Sequence, residues 1–301
     1  MSTKKATFTK KLATGYSIRR DGKLLRNIDA MRQLLPYLFR TRNGSIVHAP
    51  EVIEFDGARE FIRKRTRENP ELSIGTFEIV LAALVRTLSQ YPHLNRFVAG
   101  KKLFARNTIS ISFVVLRMEN GVHKETNAKI YFEKEDTLYD IARKVNDNIR
   151  LCQSGESKDD DKLMEFFAKF PSPIITFVAF LLRKLNDFGL LPMNFIKTDP
   201  LFSTAYISNL GSIGHDALHH HLYDWGTTSV FCTMGKLQKT NEITKEGQVE
   251  SKTNLNIVCS VDERVADGIY LVKALKYFKS LVKHPEKLEL PPEIVVEDDG
   301  L

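Results

Sequence analysis

A mixed α/β domain, with one large sheet flanked by helices, is the architecture the sequence predicts. Segments with the helical repeat and segments with the two-residue repeat of a strand follow one another along the whole chain. The 301 residues are 43% hydrophobic, enough for a substantial core without disulfides or metals to staple it. No internal repeat and no Pro/Gly/Ser-rich linker divides the chain. One domain is therefore expected over residues 26–291, with a basic N-terminal arm at 1–25 and an acidic C-terminal tail at 292–301.

Taken in order, the elements are as follows. Thr76–Gln90, TFEIVLAALVRTLSQ, is apolar round most of its circumference and reads as a buried helix. YPHLNRFVAGKKL then supplies a turn and a return. In TISISFVV the residues Ile109, Ile111, Phe113 and Val115 alternate mainly with hydroxyl residues, the mark of a strand. Thr137 and Asp140 have capping-box spacing and begin a helix running towards Arg150. SGESKDDDK, 154–162, is the most loop-like interior stretch.

PIITFVAFLL, Pro173–Leu182, is shorter than the roughly 18 to 20 residues of a membrane span and is stopped by Arg183 and Lys184. It suits a buried helix in the core or a pocket wall, with membrane-surface contact as the alternative. The Phe-rich segment from Phe166 to Phe180 either lines an apolar pocket or packs in the core. TAYISN and SVFCTM read as short strands, and LNIVCSV places Leu255, Ile257, Cys259 and Val261 on one face. Asp267 is a natural N-cap. Beyond it, Leu271, Leu275, Phe278 and Val282 form the apolar stripe of an amphipathic helix that ends at His284-Pro285.

The net charge is +7, but it is unevenly placed. Met1 to Arg26 holds eight basic residues and one acid, while the tail holds Glu293, Glu297, Asp298 and Asp299. Such an arm attracts a phosphorylated ligand or an acidic partner. No helix-turn-helix, zinc-finger or RNA-binding signature accompanies it, so no specific nucleic-acid partner is expected. Cys152, Cys232 and Cys259 are odd in number, far apart in sequence and without a CxxC pair, which fits a reducing compartment and no Cys-based zinc. No apolar segment follows Lys4 and Lys5, so a secretory signal is not expected and a cytoplasmic location is.

Two C-terminal stretches resemble a known family. YISNLGSIG, Tyr206–Gly214, resembles the serine-bearing strand and turn in the acyltransferase catalytic core of the 2-oxo acid dehydrogenase complexes. LNIVCSVDERVADGIYLVKALKYFKSLVKHPEKLEL resembles that core's last strand, active-site turn and last helix. YPHLNRFVAGKKL and DTLYDIARKVND extend the resemblance more weakly into the N-terminal half. It implies a chloramphenicol acetyltransferase-like fold and a homotrimer with active sites in channels between subunits. Coenzyme A or acyl-CoA would be the substrate, with no metal. The sequence shows no lipoyl domain or peripheral-subunit-binding domain, so a stand-alone acyltransferase is expected. Its tail, PPEIVVEDDGL, offers no apolar hook for building a cage.

The family's turn reads His-x-x-x-Asp-Gly, often with Asp before the histidine and Arg after it. Asp262, Arg264, Asp267 and Gly268 match it, and Glu263 stands in the histidine's place. The resemblance implies that this position takes a proton from the attacking thiol. Ser208 would support the oxyanion, and Asp267 would hold the turn. A thiol of pKa ~8.5 passes its proton about two pH units uphill to a histidine, but about four to an ordinary glutamate. At ~1.36 kcal/mol per unit the handicap is about 3 kcal/mol, or about a hundredfold in rate. Glu263 is then a base in a desolvated channel, part of a salt-bridged turn with Arg264, or the relic of a retired site. The last reading makes the chain an inactive trimer that binds a ligand or a protein.

HHHLYDWG offers a second base. His219, His220, Asp224 and Gly226 approach the His-His-x-x-x-Asp-Gly pattern of related condensation enzymes, but Trp225 occupies the glycine position and a strand follows in place of a helix. The match reads as coincidental and the stretch as a polar loop at a subunit contact. The spacing also disfavours zinc. Even so, His220 or His221 lies close enough in sequence to Ser208 to replace the missing base from its own or a neighbouring subunit.

Overall fold

A computed structural model of the chain describes residues 19–69, 73–119, 122–154, 169–244, 246–298 and 300. The N-terminal half runs β1 (Gly22–Leu24), α1 (Ala30–Leu38), β2 (Ile46–Glu54), α2 (Asp56–Glu68), α3 (Thr76–Gln90), β3 (Arg96–Ala99), β4 (Lys102–Arg106), β5 (Ile109–Glu119), β6 (Val122–Phe132) and α4 (Leu138–Ser154). The rest runs α5 (Ser172–Phe188), α6 (Met193–Thr198), β7 (Ala205–Asn209), β8 (Val230–Ile243), β9 (Val249–Asp262) and α7 (Gly268–Lys283).

The two-residue repeat in these strands builds a six-stranded sheet of order β2-β9-β8-β7-β5-β6. β7 lies parallel to both β5 and β8, and the other pairs are antiparallel, so the sheet is mixed. One face carries Ile111, Ile207, Cys232, Cys259 and Val261 into the main core, beneath α3, α4 and α7. Nearly all of α3 is buried, as its all-round apolar sequence predicts. α4 begins at the anticipated cap, where the Thr137 amide donates to Asp140 (3.2 Å) and the Asp140 amide donates to Thr137 Oγ1 (3.3 Å). Asp267 caps α7 by accepting from the Tyr270 amide at 2.6 Å. A small sheet, β1-β4-β3, closes one end.

Four features depart from the sequence reading. PIITFVAFLL is helical, but no residue of α5 is buried, and Phe177 is 64% exposed. Hydrophobicity alone does not say which neighbour a helix will find: Leu182 packs, half-buried, on the small cluster of Leu191, Ile196 and Phe202, and Arg183, Asn186 and Asp187, beyond the apolar run, line a cavity. Phe166 and Phe167, like most of SGESKDDDK, lie outside the described residues. The end of the basic arm is structural: β1 pairs with β4, and Arg19 and Asp21 form a buried ion pair at 2.7 Å. Cys232 and Cys259, distant in sequence, face each other across β8 and β9 as buried free thiols.

The acidic tail is also docked. Asp298 receives two hydrogen bonds from Arg96, at 2.6 and 2.7 Å, with side-chain exposures of 8% and 0%. Burial would raise the Asp298 carboxyl, but the Arg96 bonds outweigh it and hold the group below its usual range. Removing one partner of a buried pair strands the other charge. Asp298→Asn is expected to cost about 3–5 kcal/mol in urea denaturation at pH 7; a loss within the surface-mutation range of about 0.5 kcal/mol would contradict a docked tail.

Candidate active site

The DERVADG turn is fixed from inside. Asp262 is fully buried and Arg264 is 4% exposed. Arg264 Nε and Nη2 donate to the two Asp262 oxygens at 2.8 and 2.7 Å, and the Arg264 amide adds a third bond at 3.1 Å. Ser45 Oγ donates to Asp262 Oδ1 (2.9 Å), while Arg264 Nη1 reaches the Phe39 carbonyl (3.1 Å). Such a doubly bonded carboxylate–guanidinium pair is geometrically rigid. The partner of Arg264 is thus Asp262, not Glu263.

Glu263 is thereby turned outward. Its amide donates to the Ser45 carbonyl at 2.8 Å, while its side chain is exposed and has no partner among the described residues. Four residues on, Asp267 accepts from Tyr270 N and from Arg32 Nη2, both at 2.6 Å. The Tyr270 amide and the Arg32 guanidinium hold its carboxyl below the usual range. Arg32 ties α1 to this turn across 235 residues of sequence.

Ser208 lies elsewhere on the sheet. It pairs with Thr233, which pairs with Val258, whereas Ala205 aligns through Val230 with Val261. Ser208 and Glu263 therefore sit at opposite ends of the sheet, roughly 16 Å apart along the strands and about 10 Å across them. One chain does not bring them together. Both are accessible, Ser208 half-buried and Glu263 exposed.

Ser208 shares the outer face of the sheet with Tyr206. Across that face run His48, Ser260, Phe231 and Tyr206, register partners on β2, β9, β8 and β7. The HHHLYDWG loop lies over this row: His220 stacks on Phe231 (3.9 Å between centroids), and Ser260 Oγ donates to the His220 carbonyl at 2.6 Å. His219 meets His48 edge-on at 5.1 Å, and His221 stacks on His220. With its proton given to that carbonyl, Ser260 Oγ accepts from His48 Nδ1 at 2.9 Å, leaving Nε2 as the basic nitrogen. Burial, then the neighbouring His219, holds His48 below the ordinary histidine range; burial lowers His220 as well.

Phe231 is two residues from the Thr233 that faces Ser208. The histidine loop thus passes within roughly 8 Å of Ser208, one strand across and two residues along. Neither His220 nor His221 hydrogen-bonds Ser208 among the described residues. His220 Nδ1 is instead bonded to the His221 carbonyl at 2.8 Å. Among the described residues no cluster of three or more His, Cys, Asp or Glu side chains is placed to hold a metal.

The loop is anchored where the sequence pattern broke. Trp225 Nε1 donates to Asp199 (2.7 Å), and Asp224 accepts from the Arg42 amide (2.9 Å). Gly226 has φ +75°, and a Cβ there would stand 2.1 Å from the Leu201 carbonyl oxygen, so glycine is required. These contacts fix the loop against Asp199, Leu201 and Arg42.

Arg32, Ser45, His48 and Ser260 escaped the sequence reading, because nothing near them marks a partner more than 200 residues away.

The mixed six-stranded sheet flanked by helices has a chloramphenicol acetyltransferase-like fold. The family model described as 2-oxoacid dehydrogenases acyltransferase (catalytic domain) matches residues 199–290, which contain both motifs. The chain is 24% identical over 228 residues to the dihydrolipoyllysine-residue acetyltransferase component of the pyruvate dehydrogenase complex of Rickettsia typhi. That match covers 75% of this chain and 45% of the relative, so the chain spans less than half of the relative's length. The cubic core of a pyruvate dehydrogenase multienzyme complex superposes with a TM-score of 0.58 at 14% identity, covering 87% of this chain and 89% of that one. Chloramphenicol acetyltransferase gives 0.51 at 16%, covering 87% and 99%. At these identities the superpositions establish the shared fold. No helix among the described residues is long and apolar enough to cross a membrane.

The strand carrying Ser208 is delivered by a single ammonium. Lys129 Nζ on β6 donates to the carbonyls of Ile196 (2.6 Å), Asp199 (3.0 Å) and Phe202 (3.3 Å), folding the segment before β7 around itself. Burial and then Arg106 pull its pKa down to about 7. Above that value the folded chain holds fewer protons here than the unfolded chain, whose lysine titrates near ~10.4, so stability rises with pH between the two values. Lys129→Met is expected to lower stability by about 1–3 kcal/mol through its stranded carbonyls, and to lose this rise. Denaturation at pH 7 and pH 9.5 checks both; parallel pH dependence in the two proteins would contradict the assignment.

Proposed function

We propose that the chain is a coenzyme A-dependent acyltransferase whose active sites form between copies of itself in a homotrimer. The carrying observation is that a rigid turn presents Glu263 to solvent at one end of the sheet while Ser208 opens near the other. Two such half-sites are complementary only across a subunit boundary. The match of residues 199–290 to the acyltransferase catalytic domain supports the reaction class, and the fold shared with a cubic multienzyme core supports self-assembly.

In this reading the acceptor's nucleophile attacks the thioester carbonyl of acyl-CoA while Glu263 takes its proton. Ser208 donates to the oxyanion of the tetrahedral intermediate. Collapse breaks the carbon–sulfur bond, and the proton passes to the departing coenzyme A thiolate. Asp267, Arg32, Asp262 and Arg264 position the turn without touching substrate. The acceptor is a small molecule.

A specific observation favours a second reading, a trimer that binds acyl-CoA or a protein without turnover. Glu263 is left in solvent by its own chain, so only a neighbouring copy can desolvate it and make it a stronger base. Thiol release from a panel of acyl-CoAs, offered amine, alcohol and thiol acceptors, separates the two. An enzyme requires wild-type release that Glu263→Gln abolishes and Ser208→Ala lowers by about 10². Equal background rates for wild type and Glu263→Gln would establish the silent trimer, and a gain with Glu263→His would show the remainder of the site intact.

A further inference from the structure

The apolar helix α5 lies on the surface with no neighbour for its outer face among the described residues. Its 17 residues, about 25 Å long at 1.5 Å per residue, are held to the body along one stripe. Leu182 and Leu185 pack on the cluster of Leu191, Ile196 and Phe202, and Val178 and Asn186 lie half-buried on the same side. Polar bonds fix the C-terminal end. Arg19 Nη1 donates to the Asn186 carbonyl (2.6 Å) and Nη2 to its Oδ1 (2.8 Å), while the Gly100 amide donates to Asp187 (3.1 Å).

The opposite face is apolar and open. Phe180, Leu181 and Phe188 follow Phe177 at helical intervals of three, four and eleven residues, and Phe180 and Phe188 are 55% and 67% exposed. Ile174 and Leu190, both exposed, extend the face at its two ends. Three phenylalanines exposed to this degree offer roughly 350 Å², and the aliphatic residues bring the patch to roughly 500 Å². On a folded surface an apolar patch of that size marks an interaction site.

The charges around the patch select its partner. From Lys169 to Asn186 there is no acidic residue, and Lys169, Arg183 and Lys184 are exposed and form no ion pair among the described residues. The uncharged run 170–182 therefore lies between cations. The Lys184 ammonium stands 5.6 Å from the Phe180 ring, which places its stem along the apolar face and its charge at the border. A second copy docked face to face, in either direction along the helix, would set these cations against their own counterparts. An anionic lipid surface instead pairs all three while the phenylalanines enter the acyl boundary. The helix is too short to cross a bilayer, so it would lie in the interface, with the protein body in the place of a polar face.

We propose that the outer face of α5 docks on an anionic membrane surface. Phe177, Phe180, Leu181 and Phe188 enter the boundary between headgroups and acyl chains, and Lys169, Arg183 and Lys184 meet lipid phosphates. The inference is independent of whether the chain turns over acyl-CoA.

Flotation of the whole protein with vesicles tests it, using phosphatidylcholine mixed with phosphatidylglycerol and phosphatidylcholine alone. The wild type is expected to float with the mixed vesicles and far less with phosphatidylcholine. A Phe177→Ser, Phe180→Ser double variant should bind the mixed vesicles about tenfold more weakly or worse, with its melting temperature unchanged because both side chains already stand in water. Lys169→Gln with Lys184→Gln should lose about fivefold for each lysine on the mixed vesicles and nothing on phosphatidylcholine alone. Sedimentation velocity without lipid reads the other occupant: a smaller oligomer in the phenylalanine variant than in the wild type would give the face to a second copy of the chain and overturn the proposal. Absence of wild-type flotation, equal binding to the two kinds of vesicle, or undiminished flotation of the phenylalanine variant would overturn it as well.

Discussion

The buried pair between Asp262 and Arg264 is the constraint on which the candidate site depends. Two charges removed from water are tolerated only when their hydrogen bonds are satisfied, and here Ser45, Phe39 and the Arg264 backbone complete the set. Satisfying them sets the path of the chain between β9 and α7. With Asp262 and Arg264 both directed inward, the intervening Glu263 points into solvent. Arg32 and the α7 cap then fix the far end of the turn through Asp267. A flexible loop could swing a carboxylate towards many partners; this turn presents it in one direction.

The sheet sets the second constraint. Because β9 runs antiparallel to β7, the end of one and the end of the other point away from each other. The rigid turn and the serine strand are therefore separated by the topology itself, and no side-chain rotation bridges them. Another copy of the chain is the economical way to join them. The histidine loop lies nearer to Ser208, but its rings are occupied by stacking on Phe231 and by bonds to backbone, which makes it a cover for the outer face of the sheet.

Local chemistry was legible in the sequence where one segment carried the whole signal. The α3 boundaries, the Thr137–Asp140 box, the β5 alternation and the Asp267 cap each depend on neighbours within a few residues. The serine strand and the DERVADG turn were legible through a family pattern. What was hidden were partners chosen by the tertiary fold. Arg264 could have paired with Glu263 or Asp262, and only the burial of Asp262 decides between them. The fate of α5 was hidden for the same reason, since an apolar helix specifies the need for a partner and not its position. Asp298, read as part of an acidic tail outside the domain, is neutralised by an Arg96 more than 200 residues away.

The account's central claim is that Glu263 of one copy works with Ser208 of another. Mixed assembly tests it most directly. Ser208→Ala and Glu263→Gln proteins, the first lowered by about 10² and the second inactive, are unfolded together, refolded as a mixture and assayed for thiol release from acyl-CoA. Random assembly of equal amounts would recover roughly a quarter of the wild-type sites, because each subunit boundary unites one residue from either side. Reappearance of activity near that level is the predicted result. A mixture no more active than its two components would contradict the shared site.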